Sequence, residues 1–274
     1  MQQQRFELKY LIPESTALLV RDFVRSYLEM DEFSVGRPNY SYPVHSLYLD
    51  SDDLKLYWRT INGDKNRFKL RLRYYSLNED SPVFFEIKRR MNNCILKQRG
   101  GVRHNAIGPL LTGQFPRSDY LVSKAPNHLM AVQRFCHLMG ELHAKPKVHI
   151  AYEREAYVSD NDEVRVTMDR NVCAEPNLWT SIKTKMENPA RSFVGNVILE
   201  LKFTNRYPDW FRELVRSFHV MQCGAAKYVE SVDSLGPRRL ASNGAPMEEE
   251  APLSPPREEA HEVMSDNEKS PNAR

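Results

Sequence analysis

The sequence predicts an α+β fold: an antiparallel sheet of about eight strands, closed into a barrel or strongly curved, with flanking helices. Three observations lead there. About eight segments alternate apolar and polar residues with the two-residue period of half-buried strands. Short turn-forming stretches separate many of them, which favours antiparallel pairing. Only a few segments carry helical spacing, and no change of composition divides residues 1–235, so these read as one domain.

The elements follow in order. Arg5-Phe6-Glu7-Leu8-Lys9-Tyr10 opens as an alternating strand. Pro13-Glu14-Ser15 then starts a helix over 14–29, with Leu19, Phe23, Tyr27 and Leu28 expected on one buried face. Residues 44–49 read as a strand, and Ser51-Asp52-Asp53 as the cap of a short helix through Trp58. Strands at 66–75 and 82–90 flank the turn Asn78-Glu79-Asp80-Ser81-Pro82, and a strand or loop at 94–99 follows. A helix is expected at 127–143, then strands at 147–158, 163–169 and 196–204. Helical structure from Tyr207-Pro208 to about Leu235, broken near Gly224, completes the domain. Residues 236–274 read as a disordered acidic tail: from Pro237 on they hold six of the 17 prolines, no aromatic residue and eight acidic residues against five basic.

That tail hides the character of the body. The formal net charge is +3, but residues 1–236 carry 34 basic and 28 acidic side chains, a cationic body that favours an anionic partner. No apolar run approaches the roughly 20 residues of a membrane span, and the N-terminus has no signal-peptide core. Cys94, Cys136, Cys173 and Cys223 form no CxxC pair, so buried free thiols are expected rather than zinc or disulfides. With 11 glycines and neither a GxGxxG nor a GxxxxGK[ST] run, Rossmann and Walker loops are excluded.

Charge placement within the strands is more informative. In Arg67-Phe68-Lys69-Leu70-Arg71-Leu72-Arg73-Tyr74 the four cations line one face and the apolar residues the other. One such strand is most simply an amphipathic strand with its cations in water. The pattern recurs, however. Glu86, Lys88 and Arg90 share a face with Phe84; Tyr152 with Arg154; Arg165 with Thr167 and Asp169; Glu200 with Lys202; Glu7 with Lys9. Faces that were merely solvated would carry more Ser, Thr, Asn and Gln. Directed into a barrel, so many cations repel one another unless the interior is wet and holds a polyanion. Arginine in numbers favours phosphate, whose oxygens match the guanidinium fork. Carboxylates among them suit a divalent metal that bridges phosphate oxygens.

Glu7-Leu8-Lys9-Tyr10, Ser46-Leu47-Tyr48-Leu49-Asp50-Ser51, Lys69-Leu70-Arg71-Leu72-Arg73, Phe85-Glu86-Ile87-Lys88-Arg89-Arg90, Tyr152-Glu153-Arg154-Glu155-Ala156, Arg165-Val166-Thr167-Met168-Asp169 and Ile198-Leu199-Glu200-Leu201-Lys202 resemble, in order, the VTC domain. This is the polyphosphate polymerase module of the vacuolar transporter chaperone, within the triphosphate tunnel metalloenzyme superfamily. The resemblance runs through about residues 5–230. It implies an antiparallel eight-stranded β-barrel forming a tunnel, and metal-dependent transfer of the ATP γ-phosphoryl group to polyphosphate. It also implies roles. Arg71, Arg73, Lys88, Arg154 and Arg165 would carry catalysis at the phosphates, and Lys9, Lys97, Lys202 and Lys227 would bind substrate. Glu200 would hold Mn²⁺ or Mg²⁺, with Glu7 and Glu86 as further metal candidates. Gly224, Ala225 and Ala226 depart from the pattern, standing where more polar or basic residues are expected.

Two rivals remain at this stage. The same tunnel could hydrolyse inorganic or nucleoside triphosphate, or the chain could bind polyphosphate without catalysis. Nucleic acid is not the expected partner, because the basic residues alternate with apolar ones inside strands. His45, His104, His128, His137, His143, His149 and His219 lack metal-ligand spacing, and Tyr57, Trp58, Trp179 and Trp210 read as packing groups. The expectation is a stand-alone cytoplasmic enzyme using ATP and polyphosphate, with no membrane span of its own; any membrane partner would be a separate chain.

Overall fold

A computed structural model describes residues 5–92 and 94–241. The chain begins with β1 (Arg5–Pro13), α1 (Glu14–Val24), β2 (Glu29–Met30), β3 (Ser41–Asp50) and α2 (Lys55–Ile61). Next come β4 (Asn66–Tyr74), β5 (Val83–Met91), β6 (Cys94–Val102), α3 (Ile107–Leu111) and α4 (Pro126–Glu141). The remainder is β7 (Lys145–Val158), β8 (Val164–Pro176), β9 (Ala190–Arg191), β10 (Asn196–Thr204), α5 (Asp209–Ser217), α6 (Lys227–Leu235) and α7 (Pro237–Leu240).

The strands form one antiparallel sheet in the order β2-β7-β3-β4-β5-β6-β1-β10-β8-β9, with β7 also paired to β8. Ten strands therefore replace the eight expected; the additions, β2 and β9, are two residues each. An evenly zipped barrel is also corrected. β1 pairs along its length with β10 and β6 along its length with β5, but across their facing edges, among the described residues, β1 meets β6 only at Arg5↔Ile95. The sheet is strongly curved, with a loose seam between β1 and β6.

Its apolar face is covered by helices, as the alternation requires. Leu70, Leu72, Phe85 and Ile87 pack with Phe135 and Leu138 of α4. That helix lies close: a Cβ on Gly100 of β6 would stand 2.4 Å from the His128 carbonyl oxygen. Tyr10, Ile12, Leu199 and Leu201 pack under α1 and α5 through Val20, Val24, Phe211 and Leu214. Each such fully buried side chain contributes about 1.5–3 kcal/mol of transfer free energy. α1 ends at Val24 rather than 29, and its expected face is met in part, since Phe23 and Leu28 pack against the core. Ala17, Val20 and Val24 point inward, whereas Leu19 is 59% exposed, and Tyr27 instead stacks on Trp210 at 4.7 Å.

Asp50, at the end of β3, explains how α2 starts. Its carboxylate accepts the Leu56 and Tyr57 backbone N–H groups at 2.9 and 3.0 Å and the Tyr228 hydroxyl at 2.7 Å. Ser51 also caps, accepting the Lys55 N–H at 3.0 Å, so the expected cap is shared with the residue before it. Through Tyr228, Asp50 fastens α6 across one end of the curved sheet. The packed domain also extends past residue 235. Gly236, at φ +84°, ends α6, and buried Leu240 of α7 accepts the Lys147 ammonium through its carbonyl at 3.0 Å. The expected tail beyond residue 241 lies outside the described residues.

Candidate active site

Strand register places the charged residues on one continuous face. Lys69 lies opposite Lys88, and Lys88 opposite Lys97; Arg71 lies opposite Glu86. On the other side of the seam, Glu7 pairs with Lys202 and Lys202 with Arg165, while Lys9 pairs with Glu200 and Glu200 with Thr167. Arg154 faces Asp169, and Arg73 faces Ser46. Side chains bridge the seam: the Lys88 ammonium donates to both Glu7 oxygens at 2.9 Å.

Glu200 is the hub, and it is 5% exposed. Lys202 Nζ donates to it at 2.5 Å; Lys9 and Lys227 stand at 3.3 and 3.4 Å, and Arg154 at 3.7 Å. Asp169 accepts both arms of Arg154 at 2.7 and 2.8 Å and lies 2.5 Å from Lys227. Glu86 binds Arg71 at 2.7 Å and Lys97 at 2.6 Å. Each of these carboxylates is thus matched by two or more cations. Lys69 and Arg73 are not so matched: among the described residues neither has a carboxylate at ion-pair distance. Arg73 donates to the Tyr152 hydroxyl at 2.8 Å instead.

The charge states follow from these neighbours. Burial alone would raise the Glu200 carboxyl, but Lys202, Lys227, Lys9 and Arg154 outweigh it and hold the group well below the usual range. Glu7 is lowered against burial by Lys88 and Lys9, and Glu86 by Arg71, Arg73 and Lys97. Lys69 shifts the other way. Burial, then the charges of Lys9, Lys88, Arg67 and Arg71, push its ammonium down to about 7. Burial likewise brings Lys202 down to about 8, although Glu200 pulls against it.

The model of the VTC domain matches residues 4–236 of this sequence. The chain belongs to the VTC domain family. Subunit 4 of the vacuolar transporter chaperone complex of Schizosaccharomyces pombe is 23% identical over 233 residues, a match covering 70% of this chain and 32% of that subunit. This VTC domain therefore spans about a third of the curated relative it matches. A solved Bacillus halodurans protein, described as a candidate adenylate cyclase, aligns at a TM-score of 0.46 and 13% identity, over 82% of this chain and 94% of its own.

In this VTC domain the twelve residues singled out in the sequence all lie on the shared face or, for Lys227, reach into it from α6. They are not equivalent. Arg165 is drawn aside to Asp31 at 2.6 Å and stands 3.4 Å from the Tyr42 hydroxyl. Glu86 is bound to Arg71 and Lys97, whereas Glu7 shares Lys9 with Glu200. Sequence reasoning left out Asp169 and Lys69, although both stood on the named charged faces. It also left out Tyr48, Tyr152 and Tyr228, whose alternation gives no sign of their partners. At Gly224-Ala225-Ala226 the backbone, rather than side chains, meets the site. The Ala225 carbonyl, not a side chain, accepts the Lys9 ammonium at 2.9 Å, and the Cys223 N–H donates to the Lys9 carbonyl at 2.9 Å.

Among the described residues no three His, Cys, Asp or Glu side chains converge as a metal cage. Glu200 is joined to Asp169 through Lys227 and Arg154, and to Glu7, a second hard carboxylate, through Lys9. Such a pair suits Mg²⁺ or Mn²⁺ only when phosphate oxygens supply other ligands. No helix among the described residues is long and apolar enough to cross a membrane.

Proposed function

We propose that this VTC domain is a metal-dependent polyphosphate polymerase, which moves the γ-phosphoryl group of ATP onto the end of a polyphosphate chain inside a tunnel formed by the curved sheet. One observation supports this most. Among the described residues, Lys9, Lys69, Arg71, Arg73, Lys88, Lys97, Arg154, Arg165, Lys202 and Lys227 share one face with Glu7, Glu86, Asp169 and Glu200, and Asp31 reaches Arg165 from beyond β2, ten cations to five carboxylates. A charge excess of that kind is stable only around a polyanion. Membership of the family supports the same reading.

The transfer needs little covalent help. The bond from Pγ to the β,γ-bridging oxygen breaks, a terminal polyphosphate oxygen bonds to Pγ, and ADP leaves. The attacking oxygen is already anionic, so no general base is required. Arg71, Arg73 and Arg154 would neutralise charge on the transferring group, and fixed donors of this kind account for factors of about 10²–10³ each. Lys9, Lys88, Lys97, Lys202 and Lys227 would hold the phosphates in line, and Arg165 would meet them at the margin. Glu200, with Glu7 beside it, would hold Mn²⁺ or Mg²⁺, which when bound screens the phosphate charge; Glu86, already committed to Arg71, is the weaker candidate. The proposed location is the cytoplasm, where ATP is supplied, with a membrane partner on a separate chain in a complex like that of the yeast subunit.

Incubating the purified chain with ATP and Mn²⁺ tests the reading. Long phosphate chains are expected. Release of free phosphate without chains would instead make the domain a triphosphatase, and retention of polyphosphate without turnover a binder. Arg71→Ala and Glu200→Ala are both expected to abolish turnover, and wild-type rates in both would remove the site assignment.

A further inference from the structure

The shared face is not charged from end to end. Where β4 finishes and β5 begins, its residues change from cations to rings. Phe84 lies on the face of Glu86 and Lys88, directly opposite Arg73. Tyr75 follows Arg73 by two positions, and Tyr42 lies directly opposite Arg154. The rings form a row: Tyr42 to Tyr75 is 6.1 Å between centroids, and Tyr75 to Phe84 is 6.5 Å. The Arg99 guanidinium sits 4.8 Å from the Phe84 centroid. Gly101, opposite Phe84, leaves room for the ring; a Cβ there would stand 3.4 Å from it.

Rings in this position call for a ligand. Tyr75 is 38% exposed, whereas Tyr42 is buried and Phe84 half-buried, so the open ring of the row is that of Tyr75. The opposite end has a different composition. There Lys69, Lys88 and Lys97 face one another, Arg67 faces Arg90, and Tyr48 and Tyr228 are buried and stacked on each other at 4.9 Å. One end therefore offers mostly cations, with Glu7 and Glu86 among them, while the other offers aromatic rings and a guanidinium beside the phosphate-binding arginines.

We infer that the row Tyr42–Tyr75–Phe84–Arg99 is a nucleobase subsite. The base of the nucleotide stacks there, and its phosphates run inward past Arg73 and Arg154 toward Glu200. This rests on the proposed phosphoryl transfer, and it fixes the direction in which the donor lies. Aromatic and guanidinium faces stack on any base, so the subsite raises affinity for nucleotides over inorganic phosphates without selecting a base.

Calorimetric titration of the full chain with ATP and with inorganic triphosphate, both with Mg²⁺, tests it. Tyr75→Ala/Phe84→Ala is expected to weaken ATP binding roughly tenfold or more while inorganic triphosphate stays within about twofold. Tyr75→Phe/Phe84→Tyr, which keeps the faces, should behave as wild type. Equal weakening of both ligands, or unchanged ATP affinity in the alanine variant, would overturn the subsite and leave the phosphate site standing. A wild-type protein that binds neither ligand removes both readings.

Discussion

Two clusters of buried charge lie on opposite faces of the same strands. Outside the curve, Glu155 of β7 is fully buried, and Arg21 of α1 grips it at 2.7 and 2.9 Å. Arg170 of β8 adds a bond at 2.8 Å, the Tyr157 hydroxyl another at 2.7 Å, and Arg170 also binds Glu14 at 2.9 Å. Two arginines meet two glutamates, so the charges balance and both Glu155 oxygens are taken; only Arg170 Nη2 is buried without a hydrogen bond. Inside the curve, Arg154, one residue earlier on the same strand, belongs to a set in which cations outnumber carboxylates and, among the described residues, Lys69 has no carboxylate at ion-pair distance. A charge-balanced cluster fastens a helix to a sheet. An unbalanced one is poised for a ligand.

Breaking the outer cluster should have the largest effect on the fold. Glu155→Ala strands two arginines, and a loss of about 3–5 kcal/mol in unfolding free energy is expected from denaturant melts. A loss below about 1 kcal/mol would mean the cluster is not structural. Arg73→Ala should show the reverse. Its turnover should fall by about a hundredfold or more, while its unfolding free energy changes by about 1 kcal/mol or less, since only neutral hydroxyls hold it.

Lys69→Met sharpens the contrast with a smaller effect of opposite sign. Burial and the neighbouring cations bring the Lys69 pKa down to about 7 in the fold, from 10.5 for a free lysine side chain. The unfolded chain therefore binds more protons between those limits, and stability rises with pH across that window. Removing the charge should stabilise the ligand-free protein, by about 2–4 °C in Tm. The gain should be full below pH 7 and absent above about 10.5, so thermal melts across that range decide it. A variant less stable than wild type at pH 6 would show that Lys69 has a partner that stabilises its charge.

Much of this was legible beforehand because strands report their two faces through alternation. Arg67, Lys69, Arg71 and Arg73 could be assigned to one face from spacing alone. Helical faces were less secure. Leu19 and Tyr27 looked buried by spacing, yet the strands that α1 meets select Ala17, Val20 and Val24, and Leu19 is left in water. The role of Asp50 was hidden because its partners, Leu56, Tyr57 and Tyr228, come together only when α6 crosses the end of the sheet.

The amino-acid order by itself set which residues share a face and that one of those faces is cationic, since the two-residue period needs no knowledge of distant neighbours. Only the tertiary structure decided which charges are matched. Glu155 and Glu200 both lie in strands with charged neighbours, but one is taken up by Arg21 of α1 and Arg170 of β8 while the other gathers Lys9, Arg154, Lys202 and Lys227 from four separate elements. Coulomb energy depends on distance through space, and sequence separation does not encode it.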